Sequence, residues 1–150
     1  ILTIKLVEEL REKESGVYGV GARGNMSKIP YGNYNFSITF PCGPENAEKL
    51  TKAALAEVEQ IKENGPSAED IAKVKETFKL QRKEQLKENR FWLSQLEKVE
   101  SENYDISEMN DFNDMVEDIE ADDIQKMAKK YLQSNYLLGI LMPEKAETAN

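Results

Sequence analysis

Leu10-Arg11-Glu12-Lys13-Glu14-Ser15-Gly16-Val17-Tyr18-Gly19-Val20 reads as a helix that stops, a tight turn, and a strand that leaves in a new direction. Ahead of it, Ile1, Leu2, Leu6, Val7 and Leu10 recur at helical spacing while Lys5, Glu8, Glu9 and Glu12 fill the gaps, the pattern of an amphipathic helix. Ser15-Gly16 ends it, because glycine adopts the left-handed conformation that often closes a helix at little cost. Val17 is β-branched and prefers a pleated backbone. Arg11 then falls in the last helical turns and Tyr18 on the outgoing strand, so a guanidinium and a phenol can meet on one side of the joint. The helix is already running at Ile1, with no methionine and no capping residue ahead of it, so residue 1 reads as a cut within a longer chain.

Residues 17–23 predict a strand weakened by Gly19 and Gly21, which mark a bulge, a twist or the close approach of another backbone. Residues 24–32 predict a loop. In residues 33–40, Tyr34, Phe36, Ile38 and Phe40 alternate with Asn35, Ser37 and Thr39, a strand with one packed face and one wetter face. The two strands predict an antiparallel pair, whose wetter face either lines a cavity or meets solvent. Pro41-Cys42-Gly43-Pro44 turns the chain into a helix with Ala47, Leu50, Ala54, Val58 and Ile61 inward, its small alanines suited to lying close to a sheet. Asn64-Gly65-Pro66 stops that helix, and Ser67 with Asp70 caps another. Its stripe of Ile71, Val74 and Phe78 gives way to a polar middle and resumes at Phe91, Trp92, Leu93, Leu96 and Val99, so a break is expected near residues 87–90.

Residues 103–110 read as an irregular bridge. Phe112, Met115, Val116 and Ile119 predict a brief helix, and residues 121–133 a second, with Ile124, Met127, Ala128, Tyr131 and Leu132 inward. The apolar run 136–142 predicts a final buried strand, and the chain beyond Pro143 a tail. The element order predicts an α+β fold in which helices pack on one face of an antiparallel sheet, with residues 1–150 as a single domain. The last strand needs a partner, so further strands are expected upstream of Ile1. The sheet would then be incomplete at its N-terminus and the chain a C-terminal fragment of a larger protein.

With 39% hydrophobic and 32% charged residues the composition is that of a globular chain. The net charge of −8 offers no basic stripe for phosphates and argues against nucleic-acid binding. No apolar run approaches the roughly 20 residues of a membrane span. The single cysteine, Cys42, has no internal partner for a disulfide. The chain contains no histidine, which removes the commonest metal ligand and the commonest general base together. The acidic residues between 117 and 123 lack the spacing of a calcium loop and suit the positive end of a helix dipole.

Four stretches together resemble the C-terminal domain type of the pitrilysin and insulinase-like zinc peptidases, the inverzincin family. They are Leu10-Arg11-Glu12-Lys13 with Val17-Tyr18; Phe40-Pro41-Cys42-Gly43-Pro44-Glu45-Asn46; Glu88-Asn89-Arg90-Phe91-Trp92-Leu93-Ser94-Gln95-Leu96, which is similar to the bacterial, envelope-associated branch; and residues 124–132 with their Ala-Lys-Lys-Tyr-Leu ending. The resemblance implies a zinc endopeptidase whose two halves close around a peptide chamber. An inverted His-x-x-Glu-His motif and a downstream glutamate in the N-terminal half would hold the zinc. This chain would supply no metal ligand and would be inactive alone. Its partners would be the zinc-bearing half and the peptide substrate, in a parent located in the periplasm or envelope of bacteria.

The resemblance assigns Arg11 and Tyr18 to the bound peptide. Arg11 would donate to substrate carbonyl or carboxylate oxygens, and Tyr18 to the scissile carbonyl oxygen as negative charge develops there. Gly19 and Gly21 depart from the bulkier residues that the family carries after the tyrosine. The bland readings are an Arg11 that pairs with Glu8 or favours the helix dipole, and a Tyr18 that is a core aromatic. The alternative function is a non-catalytic structural or binding subunit of the same fold. An unrelated α+β interaction module is a third.

Overall fold

The computed structural model describes residues 1–105, 107 and 111–144. They fall into two compact units, one formed by Ile1–Gly65 with the chain from Gln125 onward, the other by Pro66–Ile124. The fold is helix-rich α+β with a two-stranded antiparallel sheet.

In the first unit, α1 (Leu2–Leu6) runs directly into a seven-residue π-helix, Val7–Lys13. Leu2, Leu6 and Leu10, four apart, are buried and pack against α2 (Ala47–Asn64), whose inward stripe is Leu50, Ala54, Val58 and Ile61. Each buried leucine, valine or isoleucine contributes about 1.5–3 kcal/mol by leaving water. The predicted stripe is therefore observed, but its small residues meet chiefly the first helix rather than a sheet. A 3-10 turn, Pro44–Asn46, leads into α2, and Gly65, with φ of 69°, closes it while its N–H donates to the Ile61 carbonyl.

Strands β1 (Gly21–Ser27) and β2 (Asn33–Thr39) pair in register from Gly21 opposite Thr39 to Ser27 opposite Asn33. The antiparallel pair is as expected. The first strand is displaced: it starts at Gly21 rather than Val17 and extends through residues expected as loop. The outward N–H and C=O of Ala22 are both bonded by the Thr3 hydroxyl, at 3.2 Å each, which ties the strand's start to α1. The aromatic face of β2 is less covered than its alternation predicted. Tyr34 and Phe36 remain exposed, although the Tyr34 ring meets Tyr131 of α6 (Ala121–Tyr131) edge-on at 4.9 Å.

Along α6, Ala128 is buried as expected, whereas Met127 faces outward. Residues 136–142 form no strand. Leu137 and Leu141 are fully exposed, at 97% and 102%. An apolar run sets only a preference for burial. A strand also needs a ladder edge to pair with, and none among the described residues takes this one.

The second unit holds α3 (Ala68–Gln85), α4 (Asn89–Glu102) and α5 (Phe112–Glu117). The Ser67 hydroxyl accepts the Asp70 N–H at 3.1 Å and donates to the Asp70 carboxylate at 2.5 Å, so the cap forms around an aspartate only 2% exposed. The expected break lies between α3 and α4, where the Trp92 indole N–H donates to the Leu86 carbonyl at 3.0 Å. Lys75 and Lys79 on α3 both reach Glu117 at the end of α5. The Asp123 carboxylate accepts the Glu120 N–H at 3.1 Å, so the acidic cluster serves helix ends. Residues 106, 108–110 and 145–150, most of the expected bridge and tail, lie outside the described residues. Among the described residues no helix is long and apolar enough to cross a membrane.

Candidate functional site

The joint between helix and sheet is built from the inside outward. Leu10 is completely buried, and the N–H of Gly16 returns to its carbonyl at 3.1 Å, closing the π-helix, while the Glu14 N–H donates to Glu9 five residues back. The left-handed position falls on Ser15, with φ of 50°, and not on the glycine. Gly16 is instead required by packing. A Cβ there would stand 2.8 Å from both terminal methyls of Leu50. Glycine falls at the expected turn for a different reason, since Ser15 bears the left-handed angle and Gly16 makes room for α2.

Val17 is buried and forms a lone antiparallel bridge with Cys42. The next pair, Gly21 with Thr39, is out of step by one, because residues 18, 19 and 20 on one side face only residues 40 and 41 on the other. One extra residue on one strand is the arrangement of a β-bulge, which bends the chain and re-aims a side chain. Tyr18 directly follows buried Val17, so strand alternation sets it on the opposite face, where it is 95% exposed. The glycines at 19 and 21 were the available signal for this interruption. A Cβ at either would meet nothing within 4 Å, so the space beside Tyr18 is open.

Arg11 projects from the π-helix one residue after buried Leu10, just as Tyr18 follows buried Val17 by one. Both candidate side chains are exposed, and among the described residues neither has a hydrogen-bond or ion-pair partner. Glu8 pairs with Lys5 at 3.1 Å rather than with Arg11, and Glu9 with Lys13 at 2.6 Å. A core role for Tyr18 does not survive its exposure. The structure thus holds the two residues on rigid neighbours without joining them to each other. The π-helix under Arg11 had no signature in the sequence.

Behind the π-helix, Glu57 on α2 faces this charge group. Its carboxyl is pushed above the usual range, first by burial and then by the Glu9 charge. Lys13 is raised, chiefly by its hydrogen bond to Glu9. Neither arrangement makes a metal site. The chain has no histidine, and among the described residues no three His, Cys, Asp or Glu side chains are grouped to hold an ion. The residues present do not fit zinc.

A family model described as "Peptidase M16 inactive domain" matches residues 2–78, which include Arg11, Tyr18 and the 40–46 turn. A curated relative, "Zinc protease PQQL-like" of Arabidopsis thaliana, is 30% identical over 101 residues, 64% of this chain and 11% of the relative. The chain thus spans about a tenth of that protein's length. Among solved structures, the peptidase M16 inactive domain from Pseudomonas fluorescens superposes with a TM-score of 0.72 at 20% identity, covering 86% of this chain and 30% of that one. The periplasmic protease PqqL from Escherichia coli gives 0.66 at 16% identity, covering 87% and 15%. A protease from Helicobacter pylori gives 0.69 at 19% identity, covering 86% and 30%. These likenesses bear out the fold and the resemblance to pitrilysin and insulinase-like peptidases: the chain belongs to the peptidase M16 family, as its inactive domain.

Proposed function

We propose that this domain is the C-terminal, zinc-free part of a zinc-dependent endopeptidase, forming a wall of the peptide chamber and presenting Arg11 and Tyr18 to the substrate. The zinc and the base that works with it would belong to an N-terminal half outside this chain. The observation that carries the reading is Tyr18: a phenol 95% exposed directly after a buried residue that bridges to Cys42, with no hydrogen-bond partner among the described residues.

The chemistry asked of the two residues is limited. The Tyr18 hydroxyl donates to the scissile carbonyl oxygen, and the bond strengthens as negative charge gathers there. A donor that gains strength only along the reaction raises the rate rather than merely the affinity. The Arg11 guanidinium donates to a peptide carbonyl or carboxylate oxygen and fixes the register of the chain. The open space beside Gly19 and Gly21 leaves room for a peptide backbone to approach Tyr18. A periplasmic location follows the Escherichia coli neighbour and is part of the proposal.

Two observations test it. The protein from which this domain comes is expected to carry the inverted His-x-x-Glu-His motif upstream. Its absence would favour a non-catalytic subunit, a role that the description "inactive domain" also suits. In that longer protein, a photoreactive phenylalanine analogue at position 18 should cross-link a bound peptide and lose the product when unlabelled peptide competes. A cross-link that never forms at saturating peptide counts against the chamber wall.

A further inference from the structure

We propose that Arg23, in the peptidase reading on which this step rests, holds an acidic side chain of the peptide and so sets specificity roughly four or five residues from the bond beside Tyr18.

The register divides the β1–β2 ribbon into two faces. On one, Ala22, Gly24 and Met26 stand opposite Ile38, Phe36 and Tyr34. Ala22 and Ile38 are half-buried and the Tyr34 ring meets Tyr131, so this face is turned toward the helices. The other face carries Gly21, Arg23, Asn25 and Ser27 opposite Thr39, Ser37, Asn35 and Asn33. It holds no hydrophobic residue, and apart from half-buried Ser27 its residues are exposed. Tyr18 lies on this same side. In a regular strand two residues five apart fall on opposite faces, but the ladder slips by one residue between Val17 and Gly21. Val17, which is buried, therefore faces the helices as Ala22 does, and Tyr18 faces away from them with Arg23.

Two features separate Arg23 from an ordinary surface charge. It is the only charged side chain among the paired residues of the polar face, in a chain with 28 acidic residues. Ser37 directly across the ladder, and Asn35 and Thr39 on its diagonals, are neutral, and among the described residues the Arg23 guanidinium has no hydrogen-bond or ion-pair partner. The second feature is the path to Tyr18. It passes Gly19 and Gly21, where a Cβ would meet nothing within 4 Å, so no side chain at either position keeps an extended peptide from lying flat between the two residues.

Chemistry then selects the occupant. A guanidinium with no carboxylate from its own chain is complemented by glutamate or aspartate, which it takes through two parallel hydrogen bonds. The Asn25 and Asn35 amides, opposite each other one step further along, offer donors and acceptors to the peptide backbone. At about 3.3 Å per residue, the strand from Tyr18 to Arg23 spans about 16 Å, which an extended peptide covers in roughly four or five residues.

The test has two arms. In the proposed zinc-bearing parent, kcat/KM is measured for peptides that differ only in carrying Glu, Gln or Lys at positions roughly three to six residues from the cleaved bond, on either side. Glu should be preferred over Gln by about three- to tenfold at one of these positions. Arg23→Gln should abolish that preference, and Arg23→Glu should turn it toward Lys, a reversal that a loss of folding cannot produce. In the second arm the same peptides, acetylated and amidated at their ends, are titrated into the 150-residue chain while the Arg23 Nε–H resonance is followed by NMR. The Glu peptide should shift it and the Gln peptide should not. Cleavage that depends on Tyr18 but shows no preference for Glu, or a preference that survives Arg23→Gln, would overturn the role of Arg23 alone. A parent that cleaves nothing, beside Glu-selective shifts at Arg23, would support the contact and overturn the peptidase reading. Neither cleavage nor selective shifts would overturn both.

Discussion

Gly16 meets Leu50 so closely that the joint before Tyr18 has no room for a methyl group. Gly16→Ala is expected to cost about 1–3 kcal/mol, read as a lower midpoint in denaturant, because Leu50 is itself completely enclosed. Arg11→Ala and Tyr18→Phe should leave stability within about 0.5 kcal/mol, since neither side chain is packed. Glu57 supplies a pH test. Its folded-state pKa is raised, so the folded form prefers the protonated acid, and the stability that proton brings is lost as pH rises through the folded pKa. Glu57→Gln should therefore raise Tm at pH 7, and the gain should vanish as pH falls below the ordinary glutamate value of about 4.3. At this scale the sequence singles out Arg11 and Tyr18 by their spacing and the family resemblance, and their part in a site belongs to the proposal. The exposure of Tyr18 was left open there, because alternation sets it opposite Val17 but does not say which face is covered.

Among the elements, the stripe of α2, the Ser67 cap and the break before α4 were legible because each has a local cause: helical periodicity, a hydroxyl three residues before a carboxylate, and a polar interruption. Ser67→Ala should cost about 1 kcal/mol by thermal unfolding. The π-helix was not legible, since hydrogen bonding to the fifth residue back leaves no pattern of residue types that separates it from an α-helix. The run 136–142 was misread for a related reason. Its apolar character was plain, but strand formation depends on an edge elsewhere, and the outward groups of Ala22 on β1 are already taken by Thr3. Leu137→Ser with Leu141→Ser should accordingly leave the Tm of this chain within the scatter of surface substitutions, about 0.5 kcal/mol in stability, whereas buried leucines such as Leu6 cost about 2–5 kcal/mol on truncation to alanine.

For the whole molecule, the α+β class followed from element order alone, while the division into two compact units left no mark in composition. The lack of histidine gives a chemical expectation: metal analysis of the purified chain should find far less than one zinc per chain, and one tightly held zinc would contradict it. Under the proposed function this domain is half of an active site, with Arg11 and Tyr18 exposed directly after buried Leu10 and Val17. The most direct measurement is the turnover number for peptide cleavage by the proposed zinc-bearing parent carrying Tyr18→Phe, with Arg11→Ala measured alongside. Loss of the phenolic donor should lower kcat about a hundredfold with Tm unchanged. Undiminished kcat in both variants would contradict the roles assigned to them.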